Sequence, residues 1–445
     1  MNKPAAPHGA QCNALIGKLE FHIHKAKTRD AQYAVVEGYP LYRVDRLLEA
    51  LVQNVQTTDQ RLEWLRLAAE NSVESYVVEF HNLPPERKAQ FSSSDDIAAT
   101  LRDCAWQQTA QLQQPNEWEN FKAKVVVPSE YFAGRRFLGL YPLTNLAMKA
   151  GIAQWQSEAR ELFNHNVVDT SHYQRWRLNA AQQAVGEIQT NALGMPVPTK
   201  EQWQALANNF APEWVLETLG DYDIPGQPLA KGQFKADSVV YWQQGYGRVH
   251  GELLPQISYV IWFSERPKTS ALDILGGKLD GLVWRVTLKQ EASGDWEPLI
   301  YDSIHPCGCY HLFFPTSKFE HCAVDDARES AFVPQAAPES SFAIWVQSAT
   351  HYLRRLQSAD KLEAKPYRLA PLSMLRYAQQ EQSRLFDSAG IVRETARLER
   401  VLLWTSGLES PGAMRQWGNH ATAFSGERYF DEADLFDQEF CLVNP

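Results

Sequence analysis

The strongest constraint in this chain is a change in the period of its apolar residues near Ala211. Before that point apolar side chains recur every three or four residues, the period of an amphipathic helix. Leu41, Val44, Leu47, Leu48, Leu51, Val52 and Val55 predict a helix over about 41–55. Leu62, Leu65, Val73, Val77 and Phe80 continue the pattern as far as Asn82-Leu83-Pro84-Pro85, where proline removes the donor that a helix needs. Ser93 or Ser94 caps the next helix, with Ile97, Leu101, Cys104 and Leu112 inward. Further helices are expected near 143–164 and 171–190. Thr199 with Gln202 makes a capping box for 200–210.

After Ala211 short runs rich in Val, Ile, Tyr, Trp and Phe alternate with Gly, Pro, Asp and Asn. Trp214–Leu219, Ser238–Trp242, Ile257–Phe263, Leu282–Leu288, Pro298–Tyr301, Cys309–Phe314 and Phe342–Val346 read as strands. Their spacing predicts an antiparallel sheet or sandwich rather than repeated βαβ units. Helix is expected again around 372–385. The fold class is therefore α+β: a helical N-terminal part, then a mostly antiparallel β-rich part with a few C-terminal helices. The expected organisation is a flexible segment 1–30, a mainly helical domain 31–205 and a β-rich domain 206–445.

The bulk properties bound the function. At 445 residues the chain exceeds one usual domain, and 14 Trp, 17 Tyr and 20 Phe provide apolar area for burial. A net charge of −10, with no basic face to track phosphates, disfavours a nucleic-acid partner. No apolar stretch approaches the ~20 residues that span a bilayer, so no transmembrane segment is expected. The first thirty residues do not read as a signal peptide. A cytoplasmic location follows as written, and an exported form with its signal removed would look the same. Whether the partner is a small molecule or a protein is open. Six cysteines are too few for a disulfide scaffold, but Cys307, Cys309 and Cys322 crowd within sixteen residues.

That crowding marks His305-Pro306-Cys307-Gly308-Cys309-Tyr310-His311 as the candidate site. On an extended chain His305, Cys307, Cys309 and His311 project to one face. Thiolate and imidazole together favour zinc or a softer transition metal as the cofactor. Strand rise spreads the four over ~20 Å, so one ion cannot reach all of them unless the chain bends. Gly308 permits a bend, and His321, Cys322, His250 and His420 are possible additional ligands. A second reading makes Cys307 or Cys309 a nucleophilic or redox thiol beside His. A third makes the segment packed core.

His250-Gly251-Glu252 with Pro306-Cys307-Gly308-Cys309 resembles the zinc-dependent nucleoside deaminase signature, H-x-E followed by P-C-x-x-C. The resemblance implies that His250 and the two cysteines hold zinc and that Glu252 shuttles protons. It covers seven residues and departs from the pattern in having one residue between the cysteines. No HExxH, P-loop, GxSxG or CxxC motif is present.

Two other stretches gather polar groups. Trp262–Lys268 leads into Asp273, Gly276, Gly277, Lys278 and Asp280, a charged loop at a strand end that lines a pocket or is a solvated connection. Met414–His420 brings a cation, an indole, an amide and an imidazole together, either for a polar ligand or to pack Trp417. Two functional classes remain. One is a metal- or thiol-dependent enzyme around His305–His311, with hydrolysis by a metal-activated water as its simplest chemistry. The other is a non-catalytic binding or structural protein.

Overall fold

Capping residues fix the helices, at Ser93 and Thr199 as the sequence predicted and at Thr57 as well. Thr57 and Gln60 form a reciprocal capping box at the start of helix Thr58–His81, and Ser93 caps Ser94–Leu112 through the amide of Asp96. Thr199 and Gln202 do the same for Lys200–Asn209. The computed structural model describes residues 9–167, 169–270, 273–322, 328–378 and 384–443. The segment expected to be flexible holds helix Gly9–Ala26, which buries Ile16, Leu19 and Ile23 and is tied by a Cys12–Cys104 disulfide to the Ser94–Leu112 helix.

These helices pack on a short hairpin, Ala34–Val36 with Tyr39–Val44, around Trp64, Trp118, Phe121 and Tyr42 in edge-to-face and stacked contacts. The helix expected over 41–55 is therefore divided. Leu41 to Val44 are strand, buried at every position, and Asp45 then caps helix Arg46–Val52. An apolar run buried on both faces of a strand carries no period of two, so it merges with the helical pattern that follows.

The β-rich part is a mixed ten-stranded sheet. From edge to edge its strands are Leu312–Pro315, Trp296–Ile304, Gly277–Gln290, Glu252–Arg266, Val239–Val249, Ala364–Pro371, Tyr173–Leu178, Trp214–Glu217, Ala343–Val346 and Leu353–Gln357. The first five form an antiparallel meander. Ala364–Pro371 pairs in parallel with both of its neighbours, and Trp214–Glu217 pairs in parallel with Ala343–Val346.

Tyr173–Leu178 lies where a helix over 171–190 was expected. Tyr173 packs with Trp345 and Trp176 with Trp203 and Trp214, in clusters on opposite faces. Two aromatics three apart mimic a helical repeat, but here they mark a strand covered on both sides. The expected helix at 372–385 is a short 3₁₀ turn, Leu372–Arg376; residues 379–383 of that stretch lie outside the described residues.

Both faces of the meander are buried. Ile257, Tyr259, Ile261 and Trp284 face the helices Lys200–Asn209 and Tyr141–Asn164 through Trp203, Leu206 and Phe163. Val260, Trp262 and Val283 face a C-terminal layer through Leu372, Phe386, Val392 and Met414. Each such side chain contributes about 1.5–3 kcal/mol by leaving water. The helical part and the sheet are joined by buried polar bonds: Asp30 pairs with Arg376 at 2.8 Å and accepts from Gln416 at 2.7 Å. Among the described residues, no helix is long and apolar enough to cross a membrane.

Candidate functional site

The His/Cys segment is a hairpin turn, not a strand. Strand Trp296–Ile304 ends before His305, and its antiparallel partner starts only at Leu312. Gly308 N–H donates to the His305 carbonyl at 2.8 Å and His305 N–H to the Cys309 carbonyl at 3.0 Å. Gly308 (φ 88°) and Tyr310 (φ 60°) are left-handed, which cancels the alternation of faces. The four groups expected to share a face therefore separate.

His305 reaches Asp280, Nδ1 to Oδ1 3.3 Å. Asp280 also takes His351 Nδ1 at 2.9 Å and Arg397 at 3.3 Å, and His351 Nε2 lies 3.4 Å from Asp223. Burial would push the Asp280 carboxyl up, but Arg397 and the two histidines hold it well below the usual carboxylate range. Burial lowers His305. For His351 burial acts the same way, but its bonds to Asp223 and Asp280 outweigh it and raise the imidazole. His311 turns to another carboxylate, Asp302, at 2.8 Å, and burial first of all drives it down to about 3.

The remaining candidate ligands scatter. His420 is buried and also pushed down to about 3, by burial and then by the Arg415 charge. His321 bonds Ser330 at the surface, and Cys322 is disulfide-bonded to Cys441. His250 sits in the turn before Glu252–Arg266 and stacks on Phe319, while Glu252 pairs with exposed Lys289. Neither is placed as the deaminase signature requires. Among the described residues no three His, Cys, Asp or Glu side chains are grouped as a metal ion needs. The expected zinc set of His305, Cys307, Cys309 and His311 thus finds no ligand cluster here, because the turn sends its two histidines to separate carboxylates.

The groups that do converge lie in a cleft between the helical part and the sheet. A cavity of about 470 Å³ is lined by Asp45, Asp431, Arg285, Gln256, Trp242 and Trp417. A second, of about 270 Å³, adds Arg46, Glu130 and Arg415 and shares Gln32, Asp45, Gly418 and Asp431 with the first. The two adjoin across these shared residues. Asp45 is held by its role as helix cap, accepting from Leu48 N–H at 2.9 Å. Glu130 is held from two sides: Arg415 donates to its Oε2 at 2.8 Å, and its own amide donates to Tyr429 Oη at 2.9 Å. Its other oxygen, Oε1, is buried and accepts no hydrogen bond from any described residue. Arg46 lies over the Tyr429 ring at 3.4 Å and 3.4 Å from Asp431.

This environment moves two carboxyls toward neutrality. Burial, reinforced by the nearby Asp431 charge, pushes Asp45 up to about 6. Burial pushes Glu130 up to about 7 against the pull of Arg415 and Arg46. A pair of carboxyls so tuned in one cleft can accept and donate a proton at the same pH.

Sequence reasoning missed Asp45 and Glu130, since neither belongs to a motif. It did single out Met414–His420, whose Arg415, Trp417 and Gly418 line the cleft. Comparison with family models, curated proteins and solved structures finds no match to this chain.

Proposed function

We propose that the chain is a hydrolytic enzyme that works by general acid–base catalysis in the cleft, with Asp45 as base and Glu130 as acid. The observation that carries this reading is the elevation of both carboxyls, to about 6 and about 7, on the wall of the same 270 Å³ cavity. Water deprotonated by Asp45 attacks the electrophilic carbon of the substrate. Glu130 protonates the departing oxygen as the bond to that carbon breaks. The proton gained by Asp45 and the proton lost by Glu130 balance over the turnover, so the reaction runs on side-chain protons. Arg285, at the floor of the cleft, and Arg415 place positive charge beside the substrate.

The lining favours a polyhydroxylated ring as substrate. Trp203, Trp242 and Trp417 offer flat apolar faces, and Gln243, Gln244 and Asn191 offer paired donors and acceptors for hydroxyls. A glycoside has both properties, and its hydrolysis needs one acid and one base. The disulfides Cys12–Cys104 and Cys322–Cys441 favour action in an oxidising compartment over the cytoplasm.

The test is turnover of a panel of nitrophenyl glycosides by the native chain and by Asp45→Asn and Glu130→Gln. The expected result is release of nitrophenol from at least one glycoside, cut by roughly 10²-fold or more in each variant with the fold intact. Equal turnover in all three proteins, or none of any glycoside between pH 5 and 8, would refute the reading.

A further inference from the structure

Cys307 and Cys309 are the free cysteines of the described residues, and the turn sets them side by side. Cys309 N–H donates to Cys307 Sγ at 3.4 Å. Gly308 makes this possible: its positive φ closes the turn, and it packs so tightly that a Cβ there would stand 2.2 Å from the Ala421 carbonyl oxygen. The neighbouring Cys307 thiol, then burial and the Glu399 charge, push the Cys309 thiol well above its usual range, and Arg397 pulls it back down. Arg397, anchored on Asp280 and on the Leu279 carbonyl, senses the charge of Cys307. The Arg397 guanidinium offsets part of that rise and favours the thiolate that forms on attack.

One of the two cysteines borders open space. Cys309 and Tyr310 form part of the wall of a third cavity, of about 560 Å³, whose other walls include Trp155, Leu275, Leu402 and Phe424. This space is separate from the acid–base cleft and largely apolar. Cys307 does not line it. The pair therefore has an outer thiol on an apolar cavity and an inner thiol behind it.

We propose that Cys307 and Cys309 are a redox-active dithiol that exchanges with an apolar disulfide entering this cavity. The Cys309 sulfur attacks one sulfur of the incoming disulfide as a thiolate. The external S–S bond breaks, a mixed disulfide forms on Cys309, and the first departing thiolate takes up the proton that Cys309 gave up. Cys307, as a thiolate, then attacks the Cys309 sulfur, breaks the mixed disulfide and closes a Cys307–Cys309 bond. The second departing thiolate takes up the proton of Cys307. The protein loses two electrons and two protons, and one external disulfide becomes two thiols.

The probe is dithiodipyridine, a neutral aromatic disulfide whose reduction releases coloured thiopyridone, added to the native full-length chain. About two thiopyridones per chain are expected, with the peptide spanning 307–309 lighter by two hydrogens and carrying no adduct. Cys307→Ser is expected to release about one and to retain the other on Cys309 as a stable mixed disulfide. No release before denaturant is added would overturn the proposal. So would stable adducts on both cysteines of the native chain. Should Cys307→Ser misfold, titration of the unmodified chain against the glutathione couple is the independent test. A pair that stays reduced across the whole titration is not redox-active.

Discussion

Arg285 and Asp302 face each other on neighbouring strands as a fully buried two-pronged ion pair, Nε 2.8 Å from Oδ1 and Nη2 2.5 Å from Oδ2. His311 shares the same carboxylate, and the Arg285 guanidinium also lies 3.8 Å from the centre of the Phe430 ring. The pair thereby joins the floor of the cleft to the His/Cys turn. Removing one partner strands a charge in low dielectric. Asp302→Asn is expected to cost about 3–5 kcal/mol. Replacing both residues with apolar ones, Arg285→Met with Asp302→Leu, should recover most of that loss. Urea unfolding of the three proteins measures it, and a single variant costing under about 1 kcal/mol would show the pair to be well solvated instead.

Gly308 is required for two separable reasons, and a second glycine isolates them. Gly294 has a similar φ of 91° with nothing within 4 Å of its would-be Cβ, whereas Gly308 at 88° faces the Ala421 carbonyl. Gly294→Ala should cost only the left-handed penalty of about 1 kcal/mol. Gly308→Ala should cost distinctly more, about 2–4 kcal/mol, because backbone must move as well. Thermal unfolding reads the difference, and equal costs would mean that the Ala421 segment yields freely.

The sequence carried the architecture further than the site. Capped helices such as Lys200–Asn209 were legible because Thr199 and Gln202 bond within four residues. Tyr173–Leu178 was not, because its partners in the sheet start some 36 residues on, at Trp214, and at Ala364. In the turn, the residue types were legible but their directions were not. Alternation put His305 and His311 on one face, and the left-handed Gly308 and Tyr310 sent them to Asp280 and Asp302. Asp45 and Glu130 gain their chemistry from burial between chain segments far apart in sequence, which no local pattern records.

Acid should loosen the fold earlier than its carboxylates alone would require. His311 and His420 are both held down to about 3, chiefly by burial. Unfolded, each takes a proton near pH 6.5. Their neutral burial therefore contributes stability that is fully present above about 6.5 and is lost as the pH falls toward 3. Asp302, lowered by Arg285 and His311 against the effect of burial, adds a loss at the lower end of that window. His420→Gln should flatten the acid limb by up to about 1.4 kcal/mol per pH unit, the slope for one proton. The check is the urea midpoint measured from pH 7 to 4; an unchanged slope would mean that His420 can take a proton without unfolding.

Hydrolysis in the cleft should have a narrow optimum set by two carboxyls rather than by histidine. As base, Asp45 must be ionised, so kcat/KM rises with pH through about 6. As acid, Glu130 must be protonated, so kcat/KM falls again through about 7. Asp431 distinguishes this assignment from a histidine pair, because its charge raises both groups. Asp431→Asn removes that charge and should move both limbs toward acid together, with the optimum displaced to lower pH. Asp45→Asn should abolish the acid limb and Glu130→Gln the alkaline one. The pH profile of the three variants on one glycoside decides the matter: a profile whose limbs stay in place in Asp431→Asn belongs to groups outside this cleft.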